Sequence, residues 1–241
     1  MKKIETKRVL NVLSKIINKL PNKDYEKIAK TLVVYLPNYL ERYIKYFDAE
    51  VWKIIGDNLS KKTPEYLDKY VKYFDDKVWI EIGWNLSKFY PNYLYSYIKY
   101  FDDNYWKIMI SKSYGKNIET SNEYKDYFNN IYWRVIGDNL SKYHPEYLNI
   151  YLKYFNKISW EKIADNLSIF HPQYIEKYIK YFNKKAWKII GSTLGTHNSH
   201  FLKKFIKYFD AKTWLSIVKN VSCYRPDYLK ELKKYIPEKY K

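Results

Sequence analysis

Lysine followed by tyrosine recurs every 27 residues in this 241-residue chain, with one interruption. Lysine can neutralise phosphate and tyrosine can stack on bases, so this row predicts a track for single-stranded nucleic acid. A solvated, partly neutralised helix face is the alternative, because Glu41, Asp68 and Glu176 each stand four residues before a lysine of the row. The sequence leaves both interpretations open. The interruption is Asp126, which stands 27 residues after Lys99, where the spacing predicts another lysine. The pairs are Lys45–Tyr46, Lys72–Tyr73, Lys99–Tyr100, Lys153–Tyr154, Lys180–Tyr181 and Lys207–Tyr208.

A second basic set has fewer acidic neighbours, and we expect a partner to bind there first. Trp84 joins this set, because it places a large ring at a phase that holds aspartate in other units and is a candidate interface anchor. The basic residues of the set are predicted to lie on the second helix of their repeats, namely Lys53, Lys107, Arg134 and Lys188, with Lys61, Lys88 and Lys142 just beyond the end of that helix.

Residue types that catalyse reactions or bind metals do not form a recognisable pattern. His197 and His200 have i, i+3 spacing, but no cysteine or paired carboxylate nearby completes a metal-ligand set. The chain also lacks a glycine-rich phosphate loop and a nucleophile motif. We therefore expect neither enzyme activity nor a metal or cofactor. The single cysteine, Cys223, excludes an internal disulfide framework and predicts an intracellular location.

Seven tryptophans are each separated from the next by 27 residues, without an insertion or deletion. A structural unit that stacks on copies of itself needs the same ring at a constant interval, so the spacing predicts a tandem repeat. These residues are Trp52, Trp79, Trp106, Trp133, Trp160, Trp187 and Trp214.

Each repeat is predicted to form two helices. Pro37 suits the first turn of the first helix, where its missing N–H group has no partner. Leu40, Ile44 and Phe47 then recur at i, i+4 and i+7, with Tyr39, Tyr43 and Tyr46 beside them at the same spacing, as a broad apolar stripe. Asp48, whose phase holds only Asp or Asn, predicts the N-cap of the second helix.

Short connections between the two helices make antiparallel hairpins, and stacked hairpins make an all-α fold, the α-solenoid. We predict a single helical-repeat domain that covers the whole chain. Residues 1–36 form a degenerate N-terminal repeat and cap, residues 37–225 form seven repeats, and residues 226–241 form a C-terminal half-repeat cap.

Glycine recurs four residues after tryptophan, inside the second helix, where it costs about 1 kcal/mol relative to alanine. A recurring cost predicts a recurring structural role, namely close approach of a neighbouring helix or indole. We therefore expect Gly137→Leu to lower the unfolding midpoint sharply. The glycines are Gly56, Gly83, Gly137 and Gly191, with Ala164 at the same phase.

Asparagine recurs two residues after the glycine. Its amide is predicted to bond to the connecting loop or to its counterpart one unit away, as a structural ladder. The residues are Asn58, Asn85, Asn139 and Asn166.

The repeat pattern weakens in two places. From Ile110 to Asn130, other residues stand at the positions that hold glycine, leucine, proline and lysine in other repeats. From Gly195 to Phe201, the sequence differs from the usual connection between repeats. Such departures mark either a partner contact or a locally relaxed unit, and both interpretations stay open.

The formal net charge of +18 favours acidic proteins, nucleic acid or anionic membrane surfaces as partners. Codon usage in an A/T-rich genome is the competing explanation, because Lys, Asn, Tyr and Ile are abundant together. Membrane insertion is not expected: charged and polar residues such as Glu5, Lys7 and Lys15 interrupt the N-terminal stretch.

The chain resembles short α-hairpin repeat proteins, a class that includes tetratricopeptide, HEAT and pumilio-type arrays. Its unit is shorter than theirs, and their residue patterns do not match. The runs Tyr-Phe-Asp, Trp-Lys-Ile-Ile-Gly and Asp-Asn-Leu-Ser are also similar to expanded repeat families of large AT-rich DNA viruses. That resemblance implies a non-enzymatic role in an infected cell.

Together these features favour a non-enzymatic protein-binding scaffold with a basic exposed face and an acidic protein partner. A nucleic-acid-binding repeat protein without sequence preference is the alternative, and a structural, self-associating repeat is the third hypothesis. The oligomeric state is not predicted.

Overall fold

The computed structural model describes the backbone of residues 22–100 and 121–237, and the side chains of residues 24–100 and 132–237. The chain divides into two compact units, Met1–Tyr93 (unit 1) and Leu94–Lys241 (unit 2). All regular structure in the described residues is helical, and no strand occurs among them. The predicted all-α fold is therefore confirmed. The predicted extent of a single repeat domain stays a prediction.

Unit 1 alternates long α-helices with 3-10 helices. The long helices pack side by side, α1 against α2 and α2 against α3. The α-helices are α1 (Asn22–Tyr35), α2 (Ala49–Lys62) and α3 (Asp76–Phe89), the 3-10 helices are Pro37–Tyr46, Pro64–Lys69 and Val71–Tyr73, and a helical turn, Pro91–Leu94, follows α3.

Unit 2 has the same alternation, and α4, α5, α6 and α7 pack in chain order. The α-helices are α4 (Ser121–Tyr143), α5 (Lys157–Phe170), α6 (Lys184–His197), α7 (Ala211–Tyr224) and α8 (Pro226–Leu232). The 3-10 helices are Tyr95–Tyr100, Pro145–Tyr154, Pro172–Tyr181, Ser199–Phe201, Ile206–Tyr208 and Lys233–Tyr235, and a helical turn, Leu202–Phe205, joins two of them.

In four repeats the first helix differs from the prediction, because it is 3-10 and not α: Pro37–Tyr46, Pro64–Lys69 with Val71–Tyr73, Pro145–Tyr154 and Pro172–Tyr181. The repeats that begin at Pro91 and Ser199 combine an α-helical turn with 3-10 turns. Tyr70 N–H donates to Leu67 O at 2.9 Å, an i to i−3 bond. The buried stripe accordingly follows i, i+3 spacing: Leu40 and Tyr43 are buried, whereas Ile44 is half-buried. The predicted i, i+4 stripe was therefore wrong at Ile44.

Length matching explains both the helix type and the repeat period. A 3-10 helix rises about 2.0 Å per residue and an α-helix about 1.5 Å, so ten residues of the former span nearly the length of 14 residues of the latter. The 3-10 helix Pro37–Tyr46 has 10 residues and α2 has 14. Phe47, Asp48 and Thr63 fill the remaining three positions of the 27-residue unit.

Five long helices, α2, α3, α5, α6 and α7, begin directly after the predicted Asp or Asn. Asp48 Oδ1 accepts a hydrogen bond from Val51 N at 3.0 Å, and Asn156 Oδ1 accepts from Ser159 N at 2.9 Å. These bonds satisfy N–H groups that have no partner inside the helix. Asp75, Asn183 and Asp210 form the same bond, so the N-cap prediction is confirmed at five repeats. It was wrong at Asn129, which lies inside the continuous helix α4.

The tryptophans form the core between repeats. Trp160 is buried and stacks on Tyr181 of the following 3-10 helix, with ring centroids 4.5 Å apart and planes 4° from parallel. Phe155 and Phe182 meet the same indole edge-on. Of the seven predicted tryptophans, Trp106 lies outside the described residues, and the other six are buried.

Glycine permits the close approach of successive long helices, as predicted. A Cβ atom added to Gly56 would lie 2.3 Å from Val78 Cγ1, and one added to Gly191 would lie 2.6 Å from Thr213 Cγ2. The last helix of this series, α7, has Val218 at the glycine phase, and no further long helix follows it in the described residues. Helices on which another long helix packs thus have glycine or alanine at this phase, with Ala164 in α5.

The same space is tighter at some glycines than at others. At Gly137 the nearest atom to an added Cβ is Ile163 Cδ1, at 3.1 Å. For Gly83, the residues equivalent to those that face Gly56 include Tyr105 and Met109, which lie outside the described residues.

The asparagines join neighbouring repeats, but not to one another as the ladder prediction allowed. Asn166 Nδ2 donates to Asp138 O at 2.9 Å, to Asp138 Oδ1 at 2.7 Å and to Ser141 Oγ at 3.1 Å. Asn85 makes the equivalent bonds to Asp57 and Ser60. The amide therefore links one long helix to the preceding one.

Tyrosine hydroxyl groups make a second link between repeats. Tyr70 Oη donates to Pro37 O at 2.8 Å, and Tyr178 Oη donates to Pro145 O at 3.2 Å. Burial raises the pKa of Tyr70 and that of Tyr178 to about 12. Both phenols therefore stay protonated, and remain donors, at neutral pH.

Candidate binding surface on the long helices

A groove crosses the exposed sides of α4, α5, α6 and α7 in unit 2. Its volume is about 840 Å³. The groove brings together residues that are far apart in sequence because the long helices lie side by side. Its lining residues are Arg134, Ile158, Glu161, Lys162, Asp165, Lys185, Lys188, Ile189, Ser192, Thr193 and Ser216.

Two of the four basic residues in this groove are neutralised by neighbouring carboxylates. Lys185 Nζ lies 2.6 Å from Glu161 Oε2, and Lys162 Nζ lies 3.5 Å from Asp138 Oδ1 and 3.7 Å from Asp165 Oδ2. The Glu161 side chain is only 10% exposed, so its ion pair with Lys185 is shielded from solvent on one side.

Arg134 and Lys188 are the other two basic residues of the groove, and both are exposed. Within the described residues, no carboxylate oxygen lies within 4.0 Å of either side chain. Both belong to the predicted partner-binding set, and the fold places them on α4 and α6, on either side of α5. The groove therefore offers two cations whose charge is available to an anionic partner.

The rest of the predicted set is distributed differently. In unit 1, Lys53 is exposed on α2, while Lys61 pairs with Asp57 at 2.7 Å and is thus partly neutralised. Lys107 lies outside the described residues. Lys61, Lys88 and Lys142 lie inside the last turns of α2, α3 and α4, so the prediction that they follow the helix end was wrong. Lys88 Nζ is 4.6 Å from the Trp84 ring centroid in unit 1, and Lys142 Nζ is 5.2 Å from that of Tyr143 in unit 2.

The lysine–tyrosine row has a structural role that limits its use as a base-stacking track. Tyr181 stacks on Trp160 through one ring face, and Lys180 Nζ lies 5.0 Å from its ring centroid. A parallel indole at 4.5 Å leaves no room for an ammonium group between the rings, so the lysine covers the other face. The same arrangement recurs at Tyr73, Tyr154 and Tyr208.

The histidines take local structural positions. His171 Nε2 lies 3.0 Å from Lys142 O of the preceding repeat, and Asn198, at the same phase, donates to Ser168 O at 2.8 Å. The second irregular segment thus keeps the usual connection, with α6 at 14 residues. The first irregular segment lies largely outside the described residues.

The described residues contain no group of three or more His, Cys, Asp or Glu side chains that could hold a metal ion. No helix in residues 22–100 or 121–237 combines the length and the apolar character that crossing a bilayer requires. Cys223 is exposed on α7.

Sequence reasoning missed several residues of the groove. The sequence does not mark Lys162, Lys185 and Glu161 as a group. Within the seven repeats of residues 37–225, lysine is otherwise absent from the phase of Lys162 and recurs at the phase of Lys185 only as Lys77 and Lys212, and the phase of Glu161 is otherwise basic or apolar. Only the packing of α5 between α4 and α6 brings them beside Arg134 and Lys188. The chain matches no protein-family model, no curated protein and no solved structure.

Proposed function

We propose that this protein is a non-enzymatic binding scaffold that holds an acidic segment of a partner protein in the groove of unit 2. The observation that carries the proposal is the presence of two exposed cations, Arg134 and Lys188, with no carboxylate partner within the described residues. Burying an anionic side chain against such cations adds attraction without breaking an existing ion pair.

The mixed composition of the groove supports a protein segment over a polyanion. Glu161 and Asp165 line the same groove and are paired with Lys185 and Lys162, so the charge left over is two separate cations and not a continuous positive track for a phosphate backbone. A peptide can place acidic side chains at Arg134 and Lys188 and leave its uncharged side chains at the acidic positions. Ile158 and Ile189 provide apolar contact area for those side chains.

We further propose that the scaffold works inside the cell. The single cysteine supports this location, because an internal disulfide needs two.

Selection from a displayed random-peptide library tests the proposed ligand class. We expect the wild-type protein to enrich peptides in Asp and Glu, because these side chains complement Arg134 and Lys188. The double variant Arg134→Glu/Lys188→Glu should lose that enrichment. Selected peptides without an excess of acidic residues would refute the proposal.

The matched control reverses two other exposed lysines of unit 2. Lys153→Glu/Lys180→Glu changes the net charge by the same amount, but both residues lie on 3-10 helices and not in the groove. We expect this variant to select acidic peptides as the wild type does. Equal loss in both variants would assign binding to overall charge, and the groove would then have no specific role.

A further inference from the structure

Aromatic residues occupy the last position of most long helices and are exposed there. In unit 2, Phe170 ends α5 with 46% of its surface exposed, and Tyr224 ends α7 with 63% exposed. Tyr143 ends α4 and His197 ends α6, and both are also exposed. These four residues are here called the ring edge. In unit 1, Tyr35 and Phe89 hold the same position, also exposed.

Burial accounts for only part of these rings, since about half of Phe170 and most of Tyr224 stay exposed. Single exposed apolar side chains are common, but a large ring at the same exposed position of successive helices forms a row. Each of these rings stands two residues before the position that usually holds proline. In unit 1, Lys62 stands at the position of the ring instead. This recurrence of aromatic residues can therefore be read from the sequence alone, although it is less regular than that of the tryptophans and lysines.

A cation lies between rings of neighbouring helices. Lys142 Nζ is 5.2 Å from the Tyr143 ring centroid and 5.3 Å from that of Phe170. Its stem therefore holds an ammonium group between α4 and α5 at the ring edge, and Arg225 follows Tyr224 as an exposed residue. The row combines ring faces with positive charge at the spacing of the helices.

Hydrogen bonds between connections hold the ring edge in place. Asn198 Nδ2 donates to Ser168 O at 2.8 Å and to Ile169 O at 2.9 Å, just before Phe170. His171 Nε2 lies 3.0 Å from Lys142 O, beside Tyr143. Because these two connections are each bonded to the preceding one, Tyr143 and Phe170 are presented by fixed backbone.

We propose that the ring edge of unit 2 binds single-stranded nucleic acid without sequence preference. Bases stack on exposed aromatic rings, and phosphates are neutralised by interspersed lysine and arginine. A proline-rich peptide would also fit exposed rings, but the formal charge of +18 favours a polyanion. The proposal concerns a different surface from the acidic-peptide groove and stands independently of it.

The direct test measures fluorescence anisotropy of labelled oligo(dT) of about 20 nucleotides against an abasic strand of the same length. We expect oligo(dT) to bind more tightly, because only its bases can stack. Phe170→Ala/Tyr224→Ala should weaken oligo(dT) binding by at least about tenfold, while abasic binding stays unchanged. Ile150→Ala/Leu215→Ala, which removes two other exposed apolar side chains, is the matched control and should bind as the wild type does.

The charge component has its own measurement. Lys142→Ala should reduce the slope of log affinity against log salt by about 0.7, the value for one phosphate contact on a single strand. Arg134→Glu/Lys188→Glu should leave the ratio of oligo(dT) to abasic affinity unchanged, so failure of the groove proposal is distinguishable. Equal binding of the two strands, or a Phe170→Ala/Tyr224→Ala variant indistinguishable from its control, would overturn the proposal. Preferential binding of an acidic peptide at this edge would overturn it as well.

Discussion

The indole of Trp160 and the phenol ring of Tyr181 stack face to face across a repeat boundary, 4.5 Å apart and 4° from parallel. Because the tyrosine stands 21 residues after the tryptophan, each such pair joins one long helix to the 3-10 helix that follows it. Stacked aromatic pairs add about 0.5–1.5 kcal/mol beyond the burial of their surface. The pair therefore links the recurrence of tryptophan directly to the cohesion between repeats.

Loss of this indole should be among the most destabilising single changes. We expect Trp160→Ala to lower the free energy of unfolding by about 3–5 kcal/mol, because it leaves a cavity and removes the stacked partner of Tyr181. Trp160→Phe should cost less, since a ring remains. Urea denaturation followed by circular dichroism measures the effect.

Trp84 provides a control of the same residue type. It is only half-buried, so Trp84→Ala should lower the free energy of unfolding by less than Trp160→Ala does. Equal losses would mean that the repeated indole is no more important to stability than a partly exposed one.

The glycines should differ in their tolerance of alanine. Gly56→Ala places a Cβ atom 2.3 Å from Val78 Cγ1, and a β-branched side chain in a helix has little freedom to move. We expect a loss of about 1–3 kcal/mol there, the usual cost of overpacking. Thermal unfolding midpoints of single variants provide the measurement.

Gly137→Ala should be better tolerated than Gly56→Ala. Its added Cβ atom lies 3.1 Å from the terminal carbon of Ile163, which can shift, and alanine is the better helix former by about 1 kcal/mol. Gly137→Leu, by contrast, should still lower the midpoint sharply because its side chain exceeds the space available. A reversed order of the two alanine variants would contradict the packing argument.

The asparagine that links two repeats should matter more than one that bonds within its own helix. Asn166→Ala leaves Asp138 and Ser141 without their inter-repeat donor, and we expect a loss of about 1–3 kcal/mol. Asn58 Nδ2 donates only to Ile54 O, at 2.9 Å, so Asn58→Ala is the control and should cost less. Chemical denaturation of both variants tests the order, and similar losses would contradict it.

Stability should fall as the pH rises through about 6 because of Asp76. Burial and then repulsion from Asp75 raise its pKa from 3.8 to about 6. The folded state therefore holds this proton more tightly than the unfolded state does, and the contribution to stability is present below pH 4 and lost above pH 6. Asp76→Asn should raise the free energy of unfolding at pH 7.5 by about 1 kcal/mol, discounted for solvent screening, and change it little at pH 4.

The control for this pH dependence is Asp68→Asn, an exposed carboxylate in the same unit. It should shift stability little at either pH. If Asp76→Asn instead destabilises the protein at pH 7.5, the favourable interaction of the Asp76 charge with the N-terminus of α3 outweighs its burial.

Much of the fold was predictable from local features of the sequence. Three recurring residues each reflect a local structural requirement of one repeat. Trp160 and its described equivalents form the core, the Asp or Asn at the position of Asp48 caps a helix in five repeats, and the glycine at the position of Gly56 makes room for the next helix. Because the repeat is regular, each requirement appears several times and can be recognised without coordinates. The helical pairing, the N-caps and the close approach at glycine followed from these residues.

Tertiary structure decided what depends on distance between elements. The 3-10 geometry of Pro172–Tyr181 follows from matching the length of a neighbouring α-helix, and residue types alone do not reveal that match. The groove exists because α5 lies between α4 and α6, which places Arg134 and Lys188 on either side of Glu161. Sequence shows which residues a repeat contains, but the surface it presents depends on which side chains of adjacent helices come within reach of one another.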